Sequence, residues 1–228
     1  MIKGGQFSIA TVAALVSLIG IADTAGAAPC GSTAAGFETW KQQFAQEARG
    51  RGVSAATIAA LLATTYSTAT IAADRGQRSF RLSLDQFLAK RGGSIIVARG
   101  RTLRQSQATL FATLKQRFGV PPGPLLAIWG METAFGQQRG NQHTLSAVAT
   151  LAYDCRRPAF FTDQLYATLA LIDRGILSPD ARGSMHGEIG QTQFLPKSIL
   201  NYGTGGNNAA NALASMANVG ACCSRGRT

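Results

Sequence analysis

Acidic side chains are scarce in this sequence: eleven Asp and Glu stand against twenty-two Lys and Arg, for a formal net charge of +11. Such a chain is drawn to polyanions, among them nucleic acid, anionic lipid and acidic cell-wall polymer. Charge of either sign is sparse, at 14% of residues with a mean hydropathy of +0.07, which excludes a disordered tail protein. Glycine is plentiful, 26 of 228 residues, but follows no G-X-Y period, so collagen is excluded. The four cysteines show no C-x-x-C spacing, and His143 and His186 lie far in sequence from any cysteine pair, so no zinc site is expected. Alternating strand patterns, internal repeats and low-complexity linkers are missing. What is present is 46% hydrophobic residues, enough for one mid-sized domain with a real core and a small annex.

The first 27 residues read as an export signal. Lys3 precedes an apolar run over residues 7–21, and Ala25-x-Ala27 fits a signal-peptidase cut after Ala27. A membrane anchor is the alternative, since the run just reaches across a bilayer. A lipoprotein fits less well, because Pro29 precedes Cys30 and no Leu sits three residues before it. Cleavage removes Lys3 and Asp23 and leaves the net charge at +11. Nothing later is long and apolar enough to span a membrane, so a periplasmic or secreted protein is expected. Export turns the choice of polyanion from nucleic acid towards a wall polymer. In an oxidising compartment the remaining cysteines favour a Cys30–Cys155 disulfide that ties the amino-terminal arm to the body, with unpaired buried thiols as the alternative.

Helical periodicity dominates the rest. Phe37, Trp40, Phe44 and Ala48 repeat at i, i+3, i+7 and i+11, and Gly50 and Gly52 end that helix. Ser54 caps a second helix carrying Ile58, Leu61 and Leu62. Residues 82–118 fit one long helix, broken or bent at Gly92-Gly93, with Lys90, Arg91, Arg99, Arg101, Arg104, Lys115 and Arg117 on its polar side. That basic side is either a solvated face or a surface that holds an anionic polymer. Gly119-Val120-Pro121-Pro122 stops it and opens a helix over 123–135, which Gly136 closes; further helices fit 145–153, 160–173 and 195–202. The fold class is mainly α.

Beyond the leader there are four glutamates, and Glu132 stands apart from Glu38, Glu47 and Glu188. It lies at i+7 from Leu125, i+4 from Ile128 and i+3 from Trp129, within an apolar stripe that is expected to enter the core. A carboxyl buried there and left unpaired stays protonated near neutral pH, as a general acid must; an arginine partner would make it a structural ion pair instead. Arg156 and Arg157 place adjacent guanidinium groups at the end of a helix, suited to a carboxylate or to sugar hydroxyls. Residues 183–196 add three glycines, two amides and aromatic planes, a composition common in sugar-binding loops.

Three blocks then carry a resemblance. Ile128-Trp129-Gly130-Met131-Glu132-Thr133-x-Phe135-Gly136, Ala149-Thr150-Leu151-Ala152-Tyr153-Asp154-x-Arg156-Arg157 and Gly187-Glu188-Ile189-Gly190-Gln191-Thr192-Gln193-Phe194-Leu195-Pro196 resemble the lytic murein transglycosylase B family in order and spacing. The resemblance covers roughly residues 37–218. It implies a lysozyme-like helical catalytic domain with an amino-terminal helical extension, divided as signal peptide 1–27, helical region 28–118, catalytic core 119–218 and an atypical tail 219–228. It also implies cleavage of the β-1,4 bond between N-acetylmuramic acid and N-acetylglucosamine, with Glu132 as acid and then base and a 1,6-anhydro product. Arg156, Arg157, Ser184 and Gln193 match positions that line the saccharide cleft, joined by Tyr202. Glu188 is a possible second carboxylate, with a loop-structuring role as its other reading.

The chain departs from the family pattern in two places. Residues 202–208 carry no carboxylate where many relatives have a calcium-binding stretch, so neither metal nor cofactor is expected. Residues 219–228, with vicinal Cys222-Cys223, read as non-helical and as the product of a frameshift or truncation. The leading expectation is a monomeric, exported lytic transglycosylase acting on peptidoglycan strands. A muramidase using water, a non-catalytic wall-binding protein and a basic polyanion-binding protein are the competing ones.

Overall fold

The computed structural model describes residues 29–76, 82–206 and 208–225, so the expected leader 1–27 lies outside the described residues. After a 3-10 turn at Ala34–Gly36, eleven helices follow among them: α1 Phe37–Gly50, α2 Ala55–Leu62, α3 Thr68–Arg75, α4 Leu84–Lys90, α5 Gly93–Ser106, α6 Ala108–Phe118, α7 Pro122–Thr133, α8 Thr144–Tyr153, α9 Pro158–Asp173, α10 Pro196–Tyr202 and α11 Ala209–Arg225. The two short strands, β1 Gln142–His143 and β2 Arg182–Gly183, pair antiparallel, Gln142 with Gly183 and His143 with Arg182. The protein is mainly α, as its periodicity requires. No described helix is long and apolar enough to cross a membrane.

Local chemistry accounts for the starts and stops. The Ser54 hydroxyl accepts from the Thr57 amide at the head of α2, and Ser83 and Gln86 form a capping box on α4. Asp173, at the end of α9, accepts from the Ser54 and Thr57 hydroxyls, and those two bonds hold its carboxyl below the usual range. Gly92, with φ of 68°, makes the α4–α5 corner in a left-handed conformation that costs glycine little. A second break at Gln107, where φ is −117° and ψ 31°, separates α5 from α6. Residues 82–118 are therefore three helices, one more than the glycine pair alone predicts.

Two apolar clusters make the core, and each draws on helices from both sides of Gly119. Phe37, Trp40 and Phe44 of α1 and Ile58 and Leu61 of α2 pack on Leu145, Val148 and Tyr153 of α8 and Phe161, Leu165 and Leu169 of α9. Every residue of α8 is buried. Its sequence carries no charge, and two of its hydroxyls anchor the α2–α3 connection: Ser146 Oγ accepts from the Thr65 amide at 3.2 Å and Thr150 Oγ1 from the Ser67 amide at 2.9 Å. Burying each large apolar side chain contributes roughly 1.5–3 kcal/mol. The second cluster joins Phe111 and Leu114 of α6, Leu125, Leu126 and Trp129 of α7, Phe135, and Leu213, Met216 and Ala217 of α11.

The carboxy-terminal segment corrects an expectation. Helix α11 runs through Val219 and Gly220 to Arg225, so the tail read as non-helical is helical over most of its length. Leu213, Ala217 and Ala221 recur at i+4 and are all buried, giving the helix an inward stripe that the neighbouring Gly220 and cysteines disguise. Cys222 is a free, exposed thiol.

At the other end, Cys30 and Cys155 form a disulfide with Cα atoms 5.0 Å apart. The Gly31 amide donates to the Tyr153 carbonyl at 2.9 Å alongside it. A Cβ on Gly31 would stand 1.9 Å from the Tyr153 hydroxyl oxygen, so only glycine lets the arm approach this closely.

Candidate active site

Helix α7 presents Glu132 differently from the expectation. Its buried stripe is Leu125, Leu126, Trp129, Gly130 and Thr133, while Ile128 and Glu132 share the solvent-facing flank. Residues one and two turns apart fit two faces of a helix that is apolar nearly all round, and packing selects the other one. Thr133 takes the inward place because its hydroxyl donates to the Gln191 carbonyl at 2.6 Å and accepts from the Gly136 amide at 2.9 Å. The helix ends two residues earlier than the pattern predicts: Ala134 and Phe135 both adopt positive φ, 49° and 61°. That double left-handed turn folds Phe135 back under Trp129, ring centres 5.3 Å apart, and leaves Glu132 in the last helical turn.

Glu132 is accessible, yet its carboxyl is pushed above the usual range. Desolvation is the larger cause and the negative charge of Glu188 the second, with the Arg91 guanidinium acting in the opposite direction. A carboxyl with a raised pKa that can reach a ligand suits a general acid better than one sealed in the core.

Glu188 stands on the loop between β2 and α10. Its carboxylate accepts from Ser184 Oγ at 2.7 Å, while Ser184 Oγ accepts from the His186 and Glu188 amides, both at 3.1 Å. The Ser184 amide in turn donates to the Glu188 carbonyl at 2.9 Å. These bonds make the 184–188 turn a closed unit, so Glu188 both shapes the loop and sets a charge against Glu132. Farther along, Gln193 adopts φ of 49°, and its amide nitrogen donates to the Gly190 carbonyl at 2.9 Å and to the Arg139 carbonyl at 3.3 Å. Tyr202 ends α10, its carbonyl accepting from Asn218 of α11 at 3.3 Å.

Arg156 and Arg157 hold a carboxylate of the protein itself. Asp74, at the end of α3 and 2% exposed, receives Arg156 on one carboxylate oxygen and Arg157 on the other, and its carbonyl accepts from Arg156 at 2.6 Å. Arg75 meets Asp154 at 2.7 Å in the reverse sense, so α3 and the 154–157 turn are locked by crossed ion pairs. His186 Nε2 is buried without a hydrogen-bond partner, 3.9 Å from Asp74 Oδ1. Both guanidinium groups remain about half exposed.

Two residues central to this arrangement escape a reading of the sequence. Asp74 gives one local sign, an acid three residues after Ile71 on a helix of small residues. Gln191 binds the loop to α7: Trp129 Nε1 donates to its side-chain oxygen at 3.1 Å, and a Cβ on Gly136 would come within 2.3 Å of that atom. An apolar recess is lined by Leu171, Ile189, Phe194, Ile199 and Ser215, and no titratable group lines it.

Residues 36–219 match the transglycosylase SLT domain. The chain is 35% identical over 89 residues to membrane-bound lytic murein transglycosylase B of Escherichia coli strain K12, a stretch covering 38% of this chain and 25% of that protein. Its fold is similar to SltB3 from Pseudomonas aeruginosa in complex with NAG-NAM-pentapeptide, with a TM-score of 0.74 and 31% identity over 82% of this chain and 53% of that one. The same protein in complex with NAG-anhNAM-pentapeptide gives a TM-score of 0.75. Lytic transglycosylase Slt35 of Escherichia coli shares the fold at a TM-score of 0.66 and 23% identity, over 80% of this chain and 62% of that one. The chain thus spans between a quarter and about half the length of the first two relatives.

Proposed function

The chain belongs to the transglycosylase SLT domain family, and on that basis we propose that it is a peptidoglycan lytic transglycosylase that cuts the MurNAc-β-1,4-GlcNAc bond and leaves a 1,6-anhydro-MurNAc end. The observation that carries the proposal is Glu132: an accessible carboxyl, raised by desolvation and by Glu188, on a helix end clamped by Gln191. Glu132 donates its proton to the glycosidic oxygen as the C1–O bond breaks and GlcNAc leaves. The resulting carboxylate takes the proton of the muramyl 6-hydroxyl while O6 bonds to C1. The proton count on Glu132 is restored, no water is consumed, and one carboxyl serves where most glycosidases use two. Arg156, Arg157, Ser184, Gln193 and Tyr202 are the proposed glycan contacts. The half-exposed guanidinium groups anchored on Asp74 support that role for the first two. Residues 119–218 form the proposed catalytic core, acting in the periplasm or outside the cell, where the wall is.

A hydrolytic muramidase is the second reading, favoured by the charge that Glu188 sets against Glu132. The test is mass spectrometry of the soluble products released from purified peptidoglycan. Muropeptides lighter than hydrolytic ones by one water establish the anhydro route; products with a free reducing end overturn it and give Glu188 the task of activating water.

The pH profile separates the two roles of Glu188. A general acid works below its pKa, so activity is expected to fall as pH rises through that of Glu132. Glu188→Gln removes a negative charge that raises it, and the alkaline limb is therefore expected to move to lower pH. An unmoved limb would separate Glu188 from the electrostatics of Glu132, and complete loss of turnover would favour the hydrolytic reading.

A further inference from the structure

Three buried side-chain polar atoms lack a hydrogen-bond partner among the described residues: the hydroxyls of Thr70 and Thr144, and His186 Nε2. His186 is the titratable one of the three, and the proposed chemistry gives it no role. A buried nitrogen is rarely left unpaired, because the missing bond costs about 1–3 kcal/mol.

His186 sits in the 184–188 turn, which is pressed onto α8: a Cβ on Gly187 would come within 2.3 Å of Val148 Cγ2. The His186 amide donates to Ser184 Oγ, and that hydroxyl donates to the Glu188 carboxylate. The imidazole, 19% exposed, reaches towards α3, with Nε2 3.9 Å from Asp74 Oδ1. Apart from this approach, no hydrogen bond or ion pair joins the turn to α3 or to residues 154–157 among the described residues.

Asp74 has room for another donor. Arg157 donates to Oδ1 and Arg156 to Oδ2, whereas a carboxylate offers about four acceptor sites. Asp74 on α3 and Glu188 on the same turn favour a charge on the ring, and Arg156 and Arg157 oppose it. Arg75 and Asp154, on the same two elements as the Asp74 lock, pair with each other, and α8 carries no charge. Without a hydrogen on Nε2, one acceptor faces another; the imidazolium donates from both nitrogens. A shift of about 1 Å brings Nε2 within bonding distance of Oδ1.

We infer that His186 is a positioning residue: its protonated ring closes on Asp74 and ties the turn that carries Ser184 and Glu188 to the arginine pair. Two groups of proposed glycan contacts, Ser184 on one side and Arg156 and Arg157 on the other, are then held in one register. The inference rests on the proposed action on peptidoglycan. The proton comes from solvent and returns to it as the ring changes charge.

An NMR titration of the native protein and of His186→Gln, from about pH 5 to 8, tests the link. It follows the His186 ring, the Ser184 and Glu188 amides, and the Nε–H groups of Arg156 and Arg157. Amides and guanidinium groups are expected to move together with the ring and to lose that step in His186→Gln. A ring that titrates while the guanidinium signals stay still overturns the inference, as does a guanidinium step that survives the substitution. Product release from purified peptidoglycan gives the second readout. The native-to-variant ratio of kcat/KM should be about tenfold larger near pH 5.5 than near pH 7.5, the lower end for a charge-assisted hydrogen bond. Taking the ratio removes the titration of Glu132, which both proteins share. A ratio that does not change with pH makes His186 a structural part of the turn and overturns its positioning role. In an Asp74→Asn background His186→Gln should add no further loss, and full additivity counts against the link. If Asp74→Asn does not fold, the pH profile of His186→Gln decides alone. Hydrolytic products, or none, sink the catalytic reading and leave the NMR titration to judge the link.

Discussion

Replacing Glu132 by glutamine is expected to abolish the release of soluble muropeptides while making the folded protein more heat-resistant near neutral pH. Glutamine keeps the shape but can neither give a proton to the leaving oxygen nor take one from the 6-hydroxyl. Proton transfer by a positioned side chain contributes about 10²–10⁴-fold, and here one carboxyl serves both steps, so a loss of at least that size is expected. The stability gain follows from the direction of the pKa shift. A carboxyl whose pKa is raised by folding stabilises the native state below its unfolded value, and that contribution is lost as pH rises through the folded value. At neutral pH the ionised side chain is better solvated in the unfolded chain, a penalty that the amide does not share. Thermal melts of both proteins near pH 7 and well below pH 4 check this, the difference being expected to vanish in acid. Retained product release would place the acid elsewhere, and identical melting at both pH values would show that the site does not penalise the charge.

Removing the disulfide is the largest expected change in stability. Cys30 and Cys155 are separated by 125 residues, and closing so long a loop restricts the unfolded chain strongly, for a loss of about 2–4 kcal/mol when the link is cut. For a domain of this size that corresponds to a fall of roughly 5–15 °C in Tm. The bond also pins the turn that carries Arg156 and Arg157, next to the Gly31–Tyr153 hydrogen bond. Cys30→Ala/Cys155→Ala avoids a stray thiol at the site, and its melting should no longer respond to reductant. Native protein that melts at the same temperature with and without reductant would show that the link contributes nothing.

Much of the fold is legible wherever one local rule acts alone. The stripe of Phe37, Trp40, Phe44 and Ala48 predicts α1 and its inward face, Ser54 predicts the start of α2, and Gly92 predicts the corner before α5. Legibility fails where a local rule allows two answers or none. Helix α7 is apolar around most of its circumference, so no stripe distinguishes the face of Ile128 and Glu132 from that of Trp129 and Thr133; the decision belongs to Gln191, 58 residues beyond Thr133. The break at Gln107 carries neither glycine nor proline. Asp74 is marked only by partners about 80 residues away, and no window along the chain contains both ends of that lock. Glu132 itself is conspicuous as a carboxyl among apolar neighbours, but its surroundings differ from the expected ones: the side chain faces solvent and not the core.

The wholly buried α8 has a consequence for the order in which the chain can fold. Its packing partners on α1 and α2 are made about 80–110 residues earlier, and α9 follows it. Helical proteins ordinarily fold fast because their contacts are local, but this cluster closes over long separations and must bear the loop entropy of doing so. Until residues 144–169 arrive, Phe37, Trp40, Phe44 and Ile58 have only amino-terminal neighbours such as Leu61, Tyr66 and Ile71 to cover them, and lack the α8–α9 side of the core. During synthesis the amino-terminal helices therefore present an adhesive aromatic face for most of the chain's elongation, and α8 is the element whose arrival ends that exposure.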